Sequence, residues 1–283
     1  MKVIFRLKGG LGNQLFIVSY GIIIENLTGC RPLYDISLFR LKSGSKKFTH
    51  RDLDINKILL NGLTEWRPFF GYFNFSSRLS KFIAIFLGYK YYSNEEEIYE
   101  LRRRKIYLDN YYQASQLILD SKEFILQKFY LGKDLLRNSK SLNYLEDITH
   151  SQNPVCIHVR RGDYLNSENK KIFNNLGVNY FLRAYDFLQR NYACLTPFVF
   201  SDDIEFCKKK INISNAVFVQ NTLPFEDLLL MSRCKFHIIS NSTFSWWGAF
   251  LSAKSVKVIV PKVWYLPGRS ENIIIPSSWH IFE

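Results

Sequence analysis

The sequence predicts an α/β fold built on parallel sheets. Two observations carry this prediction: a glycine turn joins an apolar strand to an apolar helix near residue 10, and strands alternate regularly with helices after residue 154. The chain has 283 residues, enough for one large domain or two modest ones. The loop at 151–154 is the expected boundary, which gives domains 1–150 and 151–283.

The N-terminal half starts as a βα unit. Residues 3–7 are apolar and β-prone, and three glycines within 9–13 stop the strand. Residues 14–26 are apolar nearly throughout, as in a buried helix. Further along, the pattern from 116 to 145 is helical.

The C-terminal half alternates between short apolar runs and amphipathic stretches. Strands are expected at 155–159, 197–200, 216–219, 236–239 and 256–260. Helices are expected between them, at 179–191, 204–211, 224–234 and 244–253. Strands with few polar positions are typical of a parallel sheet covered on both faces. Ligands bind such sheets at the carboxyl ends of the strands.

Composition narrows the class of protein. Hydrophobic residues make up 47% of the chain, which excludes intrinsic disorder. The net charge is +13, from 38 basic and 25 acidic residues, which favours a polyanionic partner: nucleic acid, nucleotide phosphates or an anionic membrane. The five cysteines form no CxxC pair, so neither a disulfide framework nor a zinc site is expected, and a reduced compartment fits best.

No signal peptide and no membrane-spanning run is evident, so we expect a cytoplasmic protein, soluble or peripheral at the inner face of the membrane. Residues 66–92 hold eleven aromatic and four basic residues and no acid. This stretch has two interpretations. It is part of the core, or it rests on an anionic membrane and collects a lipid-linked glycan.

The glycine turn is the first candidate ligand site, since free N–H groups at a helix start attract anions. Leu15 stands where a Rossmann fingerprint has its third glycine, which disfavours dinucleotide binding. A plain βα turn remains the alternative.

The segment 158–164, His-Val-Arg-Arg-Gly-Asp-Tyr, is the most informative. Strand alternation places His158 and Arg160 on one face at the exit of a strand. Adjacent guanidiniums favour an anion, because arginine matches phosphate oxygens in bidentate fashion. Asp163 is expected to hold an arginine or to accept a proton. The alternative is a structural pair between Arg161 and Asp163, with Arg160 in solvent.

Two further strand exits carry polar residues. Asp202 is expected to bind ribose hydroxyls or a guanine edge, whereas Asp203 is expected to cap the next helix. The segment 241–248 places hydroxyls at a helix start, which predicts a second anion site or, alternatively, an ordinary cap. Trp246 and Trp247 are interpreted as core or as a shelf for a sugar.

Support for metal or hydrolytic chemistry is weak. Asp52 and Asp54 form a DxD sequence, but it lies in an irregular region far from the other motifs. No histidines are spaced as a ligand pair, and Ser242 is not in a GxSxG elbow. No metal is expected.

Taken together, segments 9–16, 158–164 and 241–249 resemble glycosyltransferase family 11, the α-1,2-fucosyltransferases, and most closely its bacterial members. The HxRRxD pattern at 158–163 is shared by several fucosyltransferase families, whereas 241–249 is the most specific segment. The middle of the chain, about 40–145, carries no matching motif.

The resemblance implies a GT-B architecture, in which two Rossmann-like domains face each other across a cleft, with the acceptor side in 1–150 and the donor in 151–283. It implies inverting, metal-independent transfer of fucose from GDP-fucose to the 2-hydroxyl of a terminal β-galactoside on a glycan acceptor, with no cofactor. The implied contacts are Arg160 to the diphosphate, His158 and Asp202 to the nucleoside, Ser242, Thr243, Phe244 and Ser245 to the phosphates, and Gly10, Gly12 and Asn13 to the diphosphate and sugar from the opposite domain.

Several alternatives stay open at this point. Asp163 is the expected general base, unless the departing phosphate takes the proton. The enzyme could instead make another fucosyl linkage or act on another acceptor, including a peptide. Binding of nucleic acid is not expected, because no known binding module is present, and a membrane-binding protein without catalysis is the third possibility.

Overall fold

The computed structural model describes residues 1–40, 51–66, 77–93, 105–162, 172–174, 176–266 and 273–283. The chain divides into two compact units, Met1–Tyr130 and Leu131–Glu283. Each unit contains one sheet whose described strands all pair in parallel. The predicted α/β class is confirmed.

The first unit is a four-stranded sheet with helices packed on it. Its strands are β1 (Lys2–Arg6), β2 (Leu33–Asp35), β3 (Lys90–Tyr92) and β4 (Lys105–Leu108), in the order β2-β1-β4-β3. Its helices are α1 (Leu11–Thr28), α2 (Ser37–Arg40), α3 (Ser77–Phe86), α4 (Gln116–Asp120) and α5 (Lys122–Leu126), with a 3-10 turn at Asp54–Lys57. Helix α1 is buried over most of its length and ends at Gly29, which has a left-handed φ of 68°.

The aromatic-basic stretch 66–92 has two environments. Residues 67–76 lie outside the described residues. Trp66 and Tyr89 are buried and pack with Tyr107 of β4, so the core interpretation is confirmed for them. Phe82 and Phe86 of α3 are exposed instead.

The second unit is a six-stranded sheet, and helices separate the first five of its strands along the chain. Its strands are β5 (Asn153–Val159), β6 (Leu195–Ser201), β7 (Val217–Phe218), β8 (Phe236–Ile238), β9 (Lys257–Pro261) and β10 (His280–Phe282). Its helices are α6 (Ser139–His150), α7 (Val178–Asn191), α8 (Ile204–Lys210), α9 (Pro224–Ser232) and α10 (Thr243–Phe250), preceded by a 3-10 turn at Lys133–Leu135. The strand order is β10-β9-β8-β5-β6-β7.

The boundary between the units lies earlier than the sequence predicted, at 130/131 rather than 150/151. The cause is Glu226 of α9, which is fully buried. Its carboxylate accepts a hydrogen bond from the Ser141 hydroxyl of α6 at 3.2 Å and another from the backbone N–H of Arg137. These bonds tie α6 to the second unit. The helical pattern predicted for 116–145 is also broken, since residues 127–138 contain no α-helix.

The sheet order explains where the motifs meet. β5 lies between β8 and β6, and all three run parallel, so their carboxyl ends emerge side by side. Among the residues described, no helix is long and apolar enough to cross a membrane.

Candidate active site

His158 lies at the carboxyl end of β5 and is 4% exposed. Its Nδ1 atom is 3.1 Å from the hydroxyl of Ser240, which follows β8, and its ring lies 5.6 Å from the ring of Phe244. Burial, with a smaller contribution from the charge of Arg160, lowers the pKa of His158 to about 3. The imidazole is therefore neutral at physiological pH, and its contacts are a hydrogen bond to Ser240 and a ring contact with Phe244.

Arg160 pairs with Asp202 at the exit of the neighbouring strand β6. The guanidinium Nη1 lies 3.0 Å from Asp202 Oδ2, while Asp202 Oδ1 accepts the backbone N–H of Arg161 at 2.9 Å. A Cβ atom on Gly162 would stand 2.9 Å from Asp202 Oδ2, so only glycine allows the carboxylate this close. Asp202 thus holds both the guanidinium and the turn that follows it.

Arg161 contacts two residues at the start of α8. Its Nε atom lies 3.1 Å from Asp203 Oδ2, and its guanidinium stacks 3.6 Å above the ring of Phe206. Asp203 Oδ1 accepts the backbone N–H of Phe206 at 3.2 Å and so caps α8, as predicted. Asp163, the predicted base, lies outside the described residues, so its role stays a prediction.

The segment after β8 forms the third side of this edge. Ser242 occupies the N-cap position of α10, and its side chain makes no capping hydrogen bond. Thr243 and Phe244 are half-buried. The fully buried Ser245 hydroxyl donates to the carbonyl oxygens of Ser240 and Ser242 at 3.2 and 3.0 Å. The predicted contact of Ser245 with phosphate would require it to leave these two acceptors.

Asn241 and the two tryptophans behind the turn are structural. The Asn241 amide donates to the carbonyl oxygens of Asn174 and Trp264, both at 2.8 Å. Trp246 and Trp247 are fully buried, which confirms their core interpretation. The start of α10 is therefore rigidly placed beside the exit of β5.

This edge of the second unit combines three features that suit a diphosphate. Arg160 supplies a cation, the N-terminus of α10 supplies backbone N–H groups and a partial positive charge, and neutral His158 supplies a hydrogen-bonding ring. The predicted residues His158, Arg160, Asp202, Ser242 and Phe244 are thus brought together by the fold.

The glycine turn of the first unit is fixed by a neighbouring helix side chain. Gly9 has a left-handed φ of 79°, and a Cβ atom there would clash with Asn13 Nδ2 at 2.5 Å. Asn13 Oδ1 accepts from Gln113 at 3.0 Å. Gly10 has open space around its Cα, whereas Gly12 is buried in the first turn of α1. Backbone access at Gly10 is what the predicted ligand contact requires.

Gln14 is a buried residue that sequence reasoning missed. Its amide nitrogen donates to the carbonyl oxygens of Gly9 at 3.0 Å and Asp52 at 2.8 Å, and its amide oxygen accepts the N–H of Ile55 at 3.1 Å. The glycine turn is thereby joined to the 3-10 turn at Asp54–Lys57.

A charged cluster at the carboxyl edge of the first sheet was also missed. Asp109 follows β4 and receives the Arg6 guanidinium and the Lys8 ammonium, each at 2.6 Å, and the Tyr91 hydroxyl at 3.1 Å. Burial alone would raise the pKa of Asp109, but Lys8 and Arg6 outweigh it and hold the pKa below its usual range. The available signal was an acid directly after an apolar run at 106–108.

The DxD sequence has no metal-site geometry among the described residues. Asp52 contributes its carbonyl oxygen to Gln14, and Asp54 begins the 3-10 turn. The described part of the chain contains no group of three or more histidine, cysteine, aspartate or glutamate residues placed to hold a metal ion.

Comparison with protein families gives one match over nearly the whole chain: the model of glycosyltransferase family 11 covers residues 5–279. The chain belongs to glycosyltransferase family 11. Its membership agrees with the three motif segments, and the protein is a glycosyltransferase.

Three curated relatives differ in how much of the chain they cover. The O-antigen biosynthesis glycosyltransferase WbnK of Escherichia coli is 31% identical over 96% of this chain and 98% of its own. An α-1,2-colitosyltransferase of Escherichia coli is 30% identical over 93% of this chain and 92% of its own. The galactoside α-(1,2)-fucosyltransferase 1 of Homo sapiens is 32% identical over 35% of this chain and 28% of its own.

Solved structures show the same fold at low sequence identity. The fucosyltransferase NodZ from Bradyrhizobium matches with a TM-score of 0.54 and 12% identity, over 91% of this chain and 94% of its own. NodZ α-1,6-fucosyltransferase co-crystallised with GDP matches with a TM-score of 0.50 and 13% identity, over 87% and 91% of the two chains. The two parallel-sheet units and this likeness establish the predicted GT-B fold class.

Proposed function

We propose that this protein transfers L-fucose from GDP-fucose to the 2-hydroxyl of a terminal β-galactoside on a glycan. The observation that carries the proposal is the convergence of Arg160, neutral His158 and the start of α10 at neighbouring strand exits. Such an edge favours a nucleoside diphosphate, and the family membership makes the reaction a glycosyl transfer.

The leaving group defines what the protein must supply. When the bond between the fucose anomeric carbon and the phosphate oxygen breaks, its electron pair stays with GDP. Positive charge develops on the sugar and negative charge on the diphosphate. The guanidinium of Arg160 and the N–H groups that open α10 offset this charge, and they are preorganised for it. We therefore propose a metal-independent reaction.

The acceptor hydroxyl completes the reaction. Its oxygen attacks the anomeric carbon from the face opposite the diphosphate, which inverts the configuration. The hydroxyl proton passes to a base as the new bond forms. Asp163 is the proposed base, with the departing phosphate as the alternative acceptor of the proton.

The direct test is an assay of the purified chain with labelled GDP-fucose and a panel of galactosides. We expect one product, and NMR of its new linkage should show an α-fucosyl group on the galactose 2-oxygen. Activity should be unchanged in excess EDTA. A strict requirement for Mg²⁺ or Mn²⁺ would contradict metal independence, and a product linked elsewhere would contradict the proposed regiospecificity.

A second donor is favoured by one comparison. The α-1,2-colitosyltransferase of Escherichia coli matches 93% of this chain, whereas the human galactoside α-(1,2)-fucosyltransferase 1 matches 35% of it. Colitose is fucose without its 3-hydroxyl, so the two donors differ at one polar group. Competition between GDP-fucose and GDP-colitose for limiting enzyme would assign the donor. A higher kcat/KM for GDP-colitose would replace fucose in the proposal and keep the linkage.

Other linkages and acceptors stay candidates because the fold does not fix them. The α-1,6-fucosyltransferase NodZ shares the fold. Inclusion of N-acetylglucosamine-terminated acceptors and a peptide in the panel tests this alternative.

A further inference from the structure

Helix α3 exposes a cluster of apolar side chains that the proposed reaction does not use. The cluster, called the α3 patch here, consists of Leu79, Phe82, Ile85, Phe86 and Leu87. Twelve large hydrophobic residues are exposed in the described part of the chain, and five of them lie in these nine positions. Phe82 is 66% and Phe86 82% exposed. A concentration of this kind marks an interaction surface.

The orientation of α3 explains why these side chains face outward. Ala84 is fully buried, and Ile83 packs on the core cluster of Trp66, Tyr89 and Tyr107. One side of the helix therefore faces the sheet. Positions 79, 82 and 86 follow helical spacing and form a stripe on the other side. The helix thus has two apolar faces, and the described residues cover one of them.

Three lysines lie on α3 and on the strands β3 and β4 beside it. The Lys81 ammonium lies 3.4 Å from the ring centre of Tyr91, and that of Lys90 lies 4.8 Å from the ring centre of Tyr92. Lys105 donates to the carbonyl oxygen of Leu87 at 3.1 Å, at the end of the helix.

Negative charge is scarce on this element. Residues 77–93 contain no aspartate or glutamate. Asp109, which reaches this region through the hydroxyl of Tyr91, has a side chain only 8% exposed and is paired with Arg6 and Lys8.

We propose that the α3 patch binds the surface of an anionic lipid bilayer, with Phe82 and Phe86 inserted among the lipids and the lysines against the headgroups. Bulky apolar side chains flanked by lysines on a short helix suit this interface. A symmetric contact with a second copy is disfavoured, because it would place the lysines of one patch opposite those of the other, and residues 77–93 supply no acid to pair with them. The proposal does not depend on the donor or the acceptor.

The test is co-sedimentation of the full chain with vesicles of phosphatidylcholine alone and of phosphatidylcholine mixed with phosphatidylglycerol. We expect binding to the mixed vesicles only. Raising NaCl from about 0.1 M to about 1 M should weaken it, since the Debye length falls from ~10 Å to ~3 Å. Phe82→Ser with Phe86→Ser, and separately Lys81→Gln with Lys90→Gln, should each lower the bound fraction at least tenfold.

The matched control is Leu27→Ser with Leu60→Ser, which removes two similarly exposed apolar side chains from other surfaces of the same unit. The control and both test variants should keep transfer activity on a soluble acceptor. The proposal is overturned if the wild-type chain binds neither vesicle, or if the Phe82 and Phe86 variant binds as well as the control. Loss of a dimer in that variant, without vesicle binding by the wild type, would assign the patch to a second copy.

Discussion

Arg160 is the residue on which the proposed reaction depends most. Its guanidinium can offer two parallel N–H groups to phosphate oxygens, which a lysine ammonium cannot do. Replacement of Arg160 by Ala should abolish measurable transfer, while circular dichroism shows an intact fold. Arg160→Lys should fail nearly as badly, because one charge-assisted hydrogen bond is worth about 1.5–3 kcal/mol, roughly 10- to 150-fold in rate. Near wild-type kcat in the Lys variant would contradict a bidentate role.

The neighbouring acids Asp202 and Asp203 should separate catalysis from stability. Asp202 holds Arg160 and the backbone of Arg161, so Asp202→Asn should lower kcat/KM for the donor at least tenfold with little change in stability. Asp203 caps α8, so Asp203→Ala should cost about 0.5–2 kcal/mol in the free energy of unfolding and leave kcat/KM nearly unchanged. Urea unfolding gives the free energy of unfolding of both variants, and initial rates give their kcat/KM for the donor. Equal effects on kcat/KM would remove the special role of Asp202.

At the scale of elements, α1 and the glycine turn form one unit through Gln14. Replacement of Gln14 by Leu leaves the buried N–H of Ile55 and the partly buried carbonyl oxygens of Gly9 and Asp52 without this partner. A buried group left unsatisfied costs about 1–3 kcal/mol and a partly buried one less, so we expect the free energy of unfolding of the first unit to fall by about 2 kcal/mol or more.

The control for Gln14 is another glutamine whose amide is exposed. The side-chain amide of Gln116 donates to the Asp120 carboxylate at 2.9 Å on the surface of α4, so Gln116→Leu should change stability by less than about 0.5 kcal/mol. Denaturant titration of both variants gives the two values. Similar losses would show that Gln14 does not hold the turn.

Some elements were predictable from the sequence and others were not. The buried strands β5, β6, β8 and β9 were predictable, because each is a continuous apolar run bounded by turn residues in a chain where strands alternate with helices. Strand β4 was not predictable, because it is only four residues long, it comes directly after a run of charged residues, and its partner strand β1 lies about a hundred positions earlier in the sequence. The non-helical segment within 116–145 was missed because the apolar residues before and after it follow helical spacing.

At the scale of the whole molecule, the candidate site was predictable wherever topology alone places residues together. Parallel strands put their carboxyl ends on one edge, so His158, Asp202 and Ser242 could be grouped before their contacts were known. Two ion pairs could not be predicted in this way: Asp109 with Arg6, and Arg161 with Asp203. Each depends on which side chain fills the space between two particular strands.

The second unit should also lose stability as the pH falls below neutrality. Burial lowers the pKa of His158 to about 3 and that of His237 to about 4, both below the usual value of 6.5. Burial raises the pKa of Asp227 to about 7, above its usual 3.8, and the charge of Glu226 adds to this shift. The two histidines bind protons mainly in the unfolded chain, whereas Asp227 binds one mainly in the folded chain.

The directions of these three pKa shifts determine the pH range over which stability changes. Each histidine contributes stability that is present above pH 6.5 and lost as the pH falls, while protonation of Asp227 regains some stability below pH 7. Near pH 5 both histidines are protonated in the unfolded chain and Asp227 is protonated in the folded chain, so the unfolded chain binds about one proton more; near pH 6.5 this difference is smaller. Between pH 6.5 and pH 5 the free energy of unfolding should therefore fall with a slope that steepens toward about 1.4 kcal/mol per pH unit.

Urea unfolding followed by tryptophan fluorescence measures this slope, since four of the five tryptophans lie in the second unit. In His237→Gln the remaining histidine and Asp227 offset each other, so stability should be lower but nearly independent of pH over the same window. His150→Gln is the control, because His150 is exposed and its loss should leave the slope unchanged. A slope that persists in the His237 variant would show that groups other than these three govern the acid sensitivity of the fold.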